Sequence, residues 1–148
     1  MPFPDFPDNC IRGIPNHNCL LDDKATAYLT LFDFPGDRPR QDGWIEESIN
    51  WMDDQHAIDF TLRQTKDDGR SLQFNVGVAV LSRSELNKIR RRHTDFFGYE
   101  RARTEDNVYH GNLLLKADIR KERKTMIRAK LADISEIHLR ENVQATQQ

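Results

Sequence analysis

Residues 72–89, with the sequence LQFNVGVAVLSRSELNKI, contain the change of pattern that decides the fold class. From 72 to 80, apolar residues alternate with smaller or more polar ones, as in a strand with one buried face. Ser82 and Glu85 then have the spacing of a capping box, which predicts that a helix begins here. We expect Leu86 and Ile89 to face inward, and the basic residues to face outward: Lys88, Arg90, Arg91 and Arg92.

The segment before this stretch predicts further strands. Residues 58–63 alternate in the same way, and residues 66–69 end in a glycine suited to a tight turn, so we predict a hairpin between 58–63 and 72–80. Residues 26–34 are rich in β-branched and aromatic types, and residues 44–52 alternate between apolar and polar side chains, so each predicts a strand.

The segment after it repeats the strand-to-helix step. Residues 112–117 predict a fifth strand, Asp118 stands at a helix N-cap position, and a long helix with an apolar stripe follows. The fold class is therefore α+β: a mostly antiparallel twisted sheet of about five strands with two helices on one face. The stripe consists of Ile127, Leu131, Ile134 and Ile137.

The domain organisation follows from prolines and apolar content. Residues 1–24 contain several prolines and large apolar side chains, which predicts an irregular N-terminal arm packed on the body. Residues 25–140 form a single α+β domain, and residues 141–148 have little to bury and predict a flexible tail.

The charge distribution is uneven although the net charge is only −2. Residues 1–74 hold 7 Lys or Arg and 14 Asp or Glu, whereas residues 75–148 hold 15 and 10. The two halves either pair with each other inside one fold or present an anionic partner with a basic face. We favour the first interpretation, because charge asymmetry bears on association rather than on fold.

The sequence predicts a cytoplasmic protein without a membrane span. The first residues lack the basic start and apolar run of a signal peptide, and no apolar stretch reaches the length that spans a bilayer. The two cysteines, Cys10 and Cys19, are then expected as free thiols. With His17 they fall short of a zinc ligand set, so neither a metal nor a cofactor is predicted.

Residues 90–103 contain arginines and aromatic residues close together. Arginine forks bind phosphates and exposed aromatic rings stack on bases, a combination typical of single-stranded nucleic acid sites. The alternative is a solvated helix end followed by core aromatics. The candidate nucleic-acid-binding residues are Arg90, Arg91, Arg92, Phe96, Phe97, Tyr99, Arg101 and Arg103.

A second candidate site is the polar cluster that enters the fifth strand. His110, with Glu105 or Asp106 beside it, has the residue types of acid–base catalysis. A loop that hydrogen-bonds to itself through Asn and Asp side chains explains the same residues.

No motif names a reaction: the phosphate loops and the nucleophile elbow are absent from the sequence. We therefore expect a non-enzymatic adaptor or accessory domain whose partner is another protein, bound through the sheet edge, the arm or the basic segment. The alternatives are a nucleic-acid-binding or processing protein using residues 90–103, and a small hydrolase or transferase centred on His110. The sequence does not determine the oligomeric state.

Overall fold

The computed structural model describes residues 3–36 and 39–147, with side chains to position 143. The residues outside this description are Met1 and Pro2 of the predicted arm, Asp37 and Arg38 after the predicted strand 26–34, and Gln148 of the predicted tail.

One six-stranded sheet forms the centre of the domain, and every pair of neighbouring strands is antiparallel. The α+β class is confirmed, but there is one strand more than the five predicted. Across the sheet the strands run in the order β4-β5-β2-β1-β3-β6. Their bounds are β1 Cys10–Ile14, β2 Trp44–Trp51, β3 Gly77–Leu81, β4 Phe97–Arg101, β5 His110–Lys116 and β6 Glu136–Leu139.

Within the described residues four α-helices cover the sheet from both faces: α1 Ala57–Arg63, α2 Arg83–Arg92, α3 Lys121–Ile134 and α4 Arg140–Gln147. The larger core joins one face of the sheet to α2 and α3, through residues such as Leu86 and Leu131. The smaller core lies on the other face, where Ile11 and Val78 pack against α1 and Val143 of α4. The prediction of two helices on one face is therefore wrong in number and in placement.

The N-terminal arm is not irregular throughout, because β1 is an inner strand of the sheet. Its residues pair with β3 from Cys10↔Leu81 to Ile14↔Gly77. Cys10, Ile11 and Ile14 are fully buried, as an inner strand requires. Before β1 the chain packs on the body, as predicted, and Phe6 is inserted beside Trp51 and Phe97.

The predicted hairpin is wrong, because residues 58–63 belong to helix α1. Its buried positions are Ala57, Thr61 and Leu62, a helical spacing. Gly69 does make the predicted turn, with φ +70°, but only the single bridge Thr65↔Leu72 closes it. Of residues 72–80, only those from Gly77 onward join the sheet.

The predicted strand at 26–34 is also wrong. Leu29–Phe32 is a short 3₁₀ helix, with Leu31 and Phe32 buried beneath α3. In contrast, the strand predicted at 44–52 is confirmed as β2, and the strand predicted at 112–117 is confirmed within β5.

The two predicted helix starts have different outcomes. Ser82 caps α2, since its Oγ accepts a hydrogen bond from the Glu85 N–H at 3.2 Å. Asp118 is not a cap: the N-cap of α3 is Arg120, which makes no side-chain cap hydrogen bond. In the stripe, Ile127 and Leu131 are buried as predicted, whereas Ile137 lies in β6.

Helix α4 extends from Arg140 to Gln147 and so includes most of the segment for which a flexible tail was predicted. No helix within residues 3–36 and 39–147 combines the length and the apolar character that a membrane crossing requires.

Ion pairs join the acidic first half of the chain to the basic second half, as the favoured interpretation of the charge pattern predicts. Asp5 pairs with Arg90 and Arg91, and Asp53 pairs with Arg101 and Arg103. Much of the uneven charge is therefore neutralised inside one fold.

Candidate functional site

A cleft opens inside the sheet, between β1 and β2. These strands pair only at Cys10↔Trp51 and Ile11↔Asn50, and then separate. On its other side β2 stays paired with β5 over seven residues. The cleft has a volume of about 570 Å³, and side chains from both halves of the sheet line it. We refer to it as the sheet cleft.

Arg12 fills the bottom of the gap between the two strands. Its Nη1 donates to the main-chain oxygen of Ser48 at 2.9 Å, in place of the missing ladder hydrogen bonds. Its Nε donates to the oxygen of Leu31 at 3.0 Å, and its Nη2 lies 2.5 Å from Oε1 of Glu47. Three anchors therefore fix this guanidinium.

Glu47 is a carboxylate on the buried face of β2, between Ile45 and Ile49. Only 6% of its surface is exposed, and its Oε2 accepts a hydrogen bond from the Phe34 N–H at 2.7 Å. Burial raises the pKa of Glu47, and the charge of Arg12 opposes that shift. A buried charge needs such partners, because its desolvation is costly.

Asn50 organises one wall of the sheet cleft. Its Nδ2 donates to Thr61 Oγ1 and to Gln64 Oε1, both at 2.8 Å, so β2 is tied to α1. Its Oδ1 accepts from Asn107 Nδ2 at 2.9 Å, which ties β2 to the loop before β5. Both the Nδ2 and the Oδ1 atoms of Asn50 thus hold the wall together.

His110 and Gln73 are lining residues with free side-chain hydrogen-bonding groups. His110 is half-buried and stands opposite Asn50 at the start of β5. Its main-chain N–H donates to the main-chain oxygen of Asn107. Within the described part of the chain, neither the His110 ring nor the Gln73 amide has a hydrogen-bond partner. These groups are available to a ligand.

Phe74 supplies an aromatic surface on the other side. Its ring packs on the α-carbon of Gly13, so closely that a Cβ at Gly13 would lie 2.3 Å from ring atoms. The ring remains half-exposed. This wall of the sheet cleft therefore offers an aromatic surface held against the backbone of β1.

The predicted acid–base cluster is only partly brought together. His110 lines the sheet cleft, and Glu46 of β2 lines it as well. Glu105 is exposed, and Asp106 lies outside the cleft lining, in an adjoining depression with Tyr109 and His56 that shares Gln64 and Asn107 with the cleft. The carboxylates near His110 in sequence are thus not the ones that share its cleft.

The first part of the predicted nucleic-acid segment is engaged with the N-terminal arm. Arg90, predicted to face outward, is only 9% exposed; it pairs with Asp5 and donates to the Phe3 oxygen at 2.9 Å. Arg91 also pairs with the Asp5 carboxylate. The Tyr99 hydroxyl donates a hydrogen bond to the main-chain oxygen of Asp5 at 2.9 Å.

The remaining residues of that segment differ in their surroundings. Arg101 lies over the ring of Trp51 and pairs with Asp53, which also pairs with Arg103. Phe97 is fully buried, and Phe96 is half-buried beneath the guanidinium of Arg123. Arg92 is exposed and has no carboxylate partner among the described residues.

The thiols do not form part of the sheet cleft. Cys10 and Cys19 are buried and unpaired, and burial raises the pKa of each. Within residues 3–36 and 39–147, no three His, Cys, Asp or Glu side chains are grouped so that they could hold a metal ion.

The sequence did not identify Arg12, Glu47, Asn50 or Gln73 as site residues. Arg12 lies in β1, Glu47 and Asn50 lie in β2, and Gln73 lies in the segment before β3; these three segments meet because β1 is an inner strand. Two signals were available: Arg12 interrupts an otherwise apolar or small-residue stretch, CIRGI, and Glu47 occupies an apolar position in the alternation of β2.

Comparison of the chain with protein-family models, with curated proteins and with solved structures finds no match.

Proposed function

We propose that this chain is a non-enzymatic interaction domain that binds another protein in the sheet cleft. The observation that carries the proposal is the opening of the sheet beyond Ile11↔Asn50, lined by polar groups that the fold leaves free. A concave site with convergent polar groups is the usual form of a binding site. The free groups are the His110 ring and the Gln73 amide.

The charges of the lining favour a protein over a nucleic acid. Three carboxylates, on Asp33, Glu46 and Glu47, line the cleft together with one guanidinium, that of Arg12. Each of the three is paired with an arginine, Asp33 with Arg128, Glu46 with Arg40 and Glu47 with Arg12, so a phosphate group would meet no unpaired cation there. A polypeptide segment with uncharged polar side chains needs no such cation.

The chemistry of the walls suits a polypeptide. The amide of Gln73 and the ring of His110 can hydrogen-bond to main-chain groups, and Phe74 offers an aromatic face for an apolar or planar side chain. The other surfaces considered from the sequence are less available, because Arg90 and Arg101 bind carboxylates of the same chain.

The test uses Gln73, an exposed residue at the mouth of the cleft. Immobilised wild-type protein is expected to retain a stoichiometric partner from the native lysate, and Gln73→Arg, which puts a longer charged side chain at the mouth of the cleft, is expected to lose it. Gln55→Arg, at an exposed position outside the cleft lining, is the matched control and should retain it. A photo-crosslinking residue at position 73, but not at 55, should then attach to that same partner.

Two results would overturn the proposal. One is retention of every partner by Gln73→Arg. The other is tight binding of single-stranded oligonucleotides that weakens steeply with salt and is lost in Arg92→Ala, which would favour nucleic-acid binding through residues 90–103.

A second candidate function is acid–base catalysis at His110, favoured by one observation: its unpartnered ring shares the cleft with Glu46. A small hydrolase or transferase of this kind should turn over chromogenic ester or glycoside substrates, and His110→Gln should abolish the turnover while Gln55→Arg preserves it. Absence of turnover by the wild-type protein would remove this candidate.

A further inference from the structure

A groove runs between α2 and α3. None of the residues that line it also lines the sheet cleft. One section, of about 580 Å³, has Ile89 of α2 and Ala129 of α3 in its walls. A second section, of about 520 Å³, lies against Arg120 and Arg123. The two sections share Arg92, His93 and Met126, so they form one continuous groove. We refer to it as the helix groove.

The middle of the helix groove is apolar. Met126 is a large hydrophobic side chain that is 58% exposed, and it stands beside exposed Ala129 and above buried Ile89. Methionine adapts its shape to different apolar partners and is frequent at binding surfaces. An exposed methionine in a groove between two helices is therefore suited to receive apolar side chains.

The ends of the groove differ in charge. At the far end of α3, Lys130 is paired with Asp133, and on α2 Lys88 is paired with Glu85. Near the start of α3, three arginines have no carboxylate partner among the residues that the structure describes: Arg92, Arg120 and Arg123. Glu122 also lines this end, so one carboxylate stands among three arginines and the excess charge is positive.

The start of α3 strengthens this asymmetry. The N-terminus of a helix carries partial positive charge, and basic residues there are unfavourable. Arg120 is the N-cap of α3 and makes no side-chain cap hydrogen bond, and the first turn contains Lys121 and Arg123 with one acidic residue, Glu122, between them. Carboxylates of a partner would relieve this repulsion.

His93 adds no positive charge to the groove at neutral pH. Because a guanidinium can only donate, the 3.1 Å contact between Arg123 Nη1 and His93 Nδ1 makes Nδ1 the acceptor. Burial lowers the pKa of His93, and the charges of Arg123 and Arg92 lower it further. The positive charge at this end therefore comes from the arginines.

We propose that the helix groove binds an acidic amphipathic helix of a partner protein. The apolar face of that helix would lie on Met126 and Ala129, and its carboxylates would meet Arg92, Arg120 and Arg123. From Arg120 to Asp133 the groove follows α3 for roughly 20 Å, which accommodates about four turns of a helix. The inference concerns a surface separate from the sheet cleft and does not depend on what binds there.

The experiment measures fluorescence anisotropy of a labelled peptide of about four helical turns, with Leu on one face and Glu on the other. A shuffled peptide of the same composition has no apolar face and serves as the probe control. We expect saturable binding of the patterned peptide, weaker at high salt, and no binding of the shuffled one.

Two exposed positions test the groove itself. Arg92→Glu and Met126→Glu are each expected to weaken binding by about tenfold or more, as for central interface residues. Lys66→Glu is the control for Arg92→Glu, because it makes the same change of charge at an exposed position outside the groove. Val108→Glu is the control for Met126→Glu, because it also replaces an exposed apolar side chain by a carboxylate. Both controls should bind the peptide as the wild-type protein does.

Each of the following results would overturn the inference. The first is equal binding of the patterned and shuffled peptides, which would indicate charge attraction alone. The second is no saturable binding of the patterned peptide. The third is unchanged affinity in both Arg92→Glu and Met126→Glu. Displacement of the bound peptide by a single-stranded oligonucleotide at lower concentration would also count against it, because the groove would then prefer a nucleic acid.

Discussion

The Nη1 atom of Arg12 donates a hydrogen bond to the main-chain oxygen of Ser48 at 2.9 Å, across the place where β1 and β2 separate. A side-chain hydrogen bond thus replaces the missing main-chain hydrogen bonds between these two strands at the centre of the sheet. The same guanidinium pairs with buried Glu47, so a buried ion pair lies beside the opening.

We predict that Arg12→Met destabilises the domain by about 3–5 kcal/mol, because Glu47 is left buried without its cation. The double variant Arg12→Met with Glu47→Leu removes both charges and should be more stable than the single variant. Urea unfolding followed by tryptophan fluorescence measures both values. A double variant as unstable as Arg12→Met would show that Glu47 is not the reason for the loss.

Gly77 is a position where a side chain cannot be accommodated. Its φ is +156°, and a Cβ would lie 2.2 Å from the main-chain oxygen of His138 in β6. Gly77→Ala should therefore cost at least about 1–3 kcal/mol and displace β6 from the sheet. Hydrogen exchange of the β6 amides should accelerate in this variant. Gly43→Ala, where nothing lies within 4 Å of the added Cβ, separates the backbone cost at positive φ from the collision.

The docking of the N-terminal arm should weaken in acid. Hydrogen bonds from Arg90 and then Arg91 hold the pKa of Asp5 below its usual value of 3.8. Since the folded pKa is lowered, the stabilisation is fully present above pH 3.8 and is lost as the pH falls through the folded value. Unfolding midpoints measured at decreasing pH should show the loss, and Asp5→Asn should reduce it. An equally steep acid loss in Asp5→Asn would assign the effect to other groups.

His93 should titrate below 6.5, its usual pKa, because burial and the neighbouring Arg123 and Arg92 disfavour the imidazolium. The unfolded chain takes up this proton first as the pH falls, so the contribution of His93 to stability decreases below pH 6.5 until the folded pKa is passed. NMR titration of the ring should show a higher pKa in Arg123→Gln. An unchanged value in that variant would mean that burial alone sets the shift.

The sequence predicted correctly the elements whose local signals agree with their tertiary environment. The alternation of β2 and the Ser82 cap of α2 are such cases, because the same residues that favour the element also satisfy its burial or its free N–H groups. Within β5, Asn112 to Lys116 were predicted for the same reason.

The errors came from short segments that fit two periods. In α1 the apolar residues Ile58, Phe60 and Leu62 alternate, but seven residues are too few to separate a period of 2 from one of 3.6. A tertiary contact favours the helix, since the Thr61 hydroxyl accepts a hydrogen bond from Asn50 of β2. Within the helix the same hydroxyl donates to the main-chain oxygen of Ala57. No local pattern contains the Asn50 contact.

The candidate site was largely beyond prediction because it depends on β1. Prolines on both sides of CIRGI indicated an irregular arm, although Pro7 and Pro15 lie just outside the strand. If β1 is not predicted, the gap between β1 and β2 is not predicted either. Arg12 and Glu47 are then interpreted as ordinary surface charges. His110 was recognised by its residue type, but its neighbours in space were not its neighbours in sequence.

The two residue pairs between β1 and β2 also have a mechanical consequence. Three strands lie on each side of this short seam, and the sheet is roughly 24 Å wide from β4 to β6. Because the seam lies midway across the sheet, any change in the angle between the two sets of three strands displaces the outer strands β4 and β6 further than the strands beside the seam.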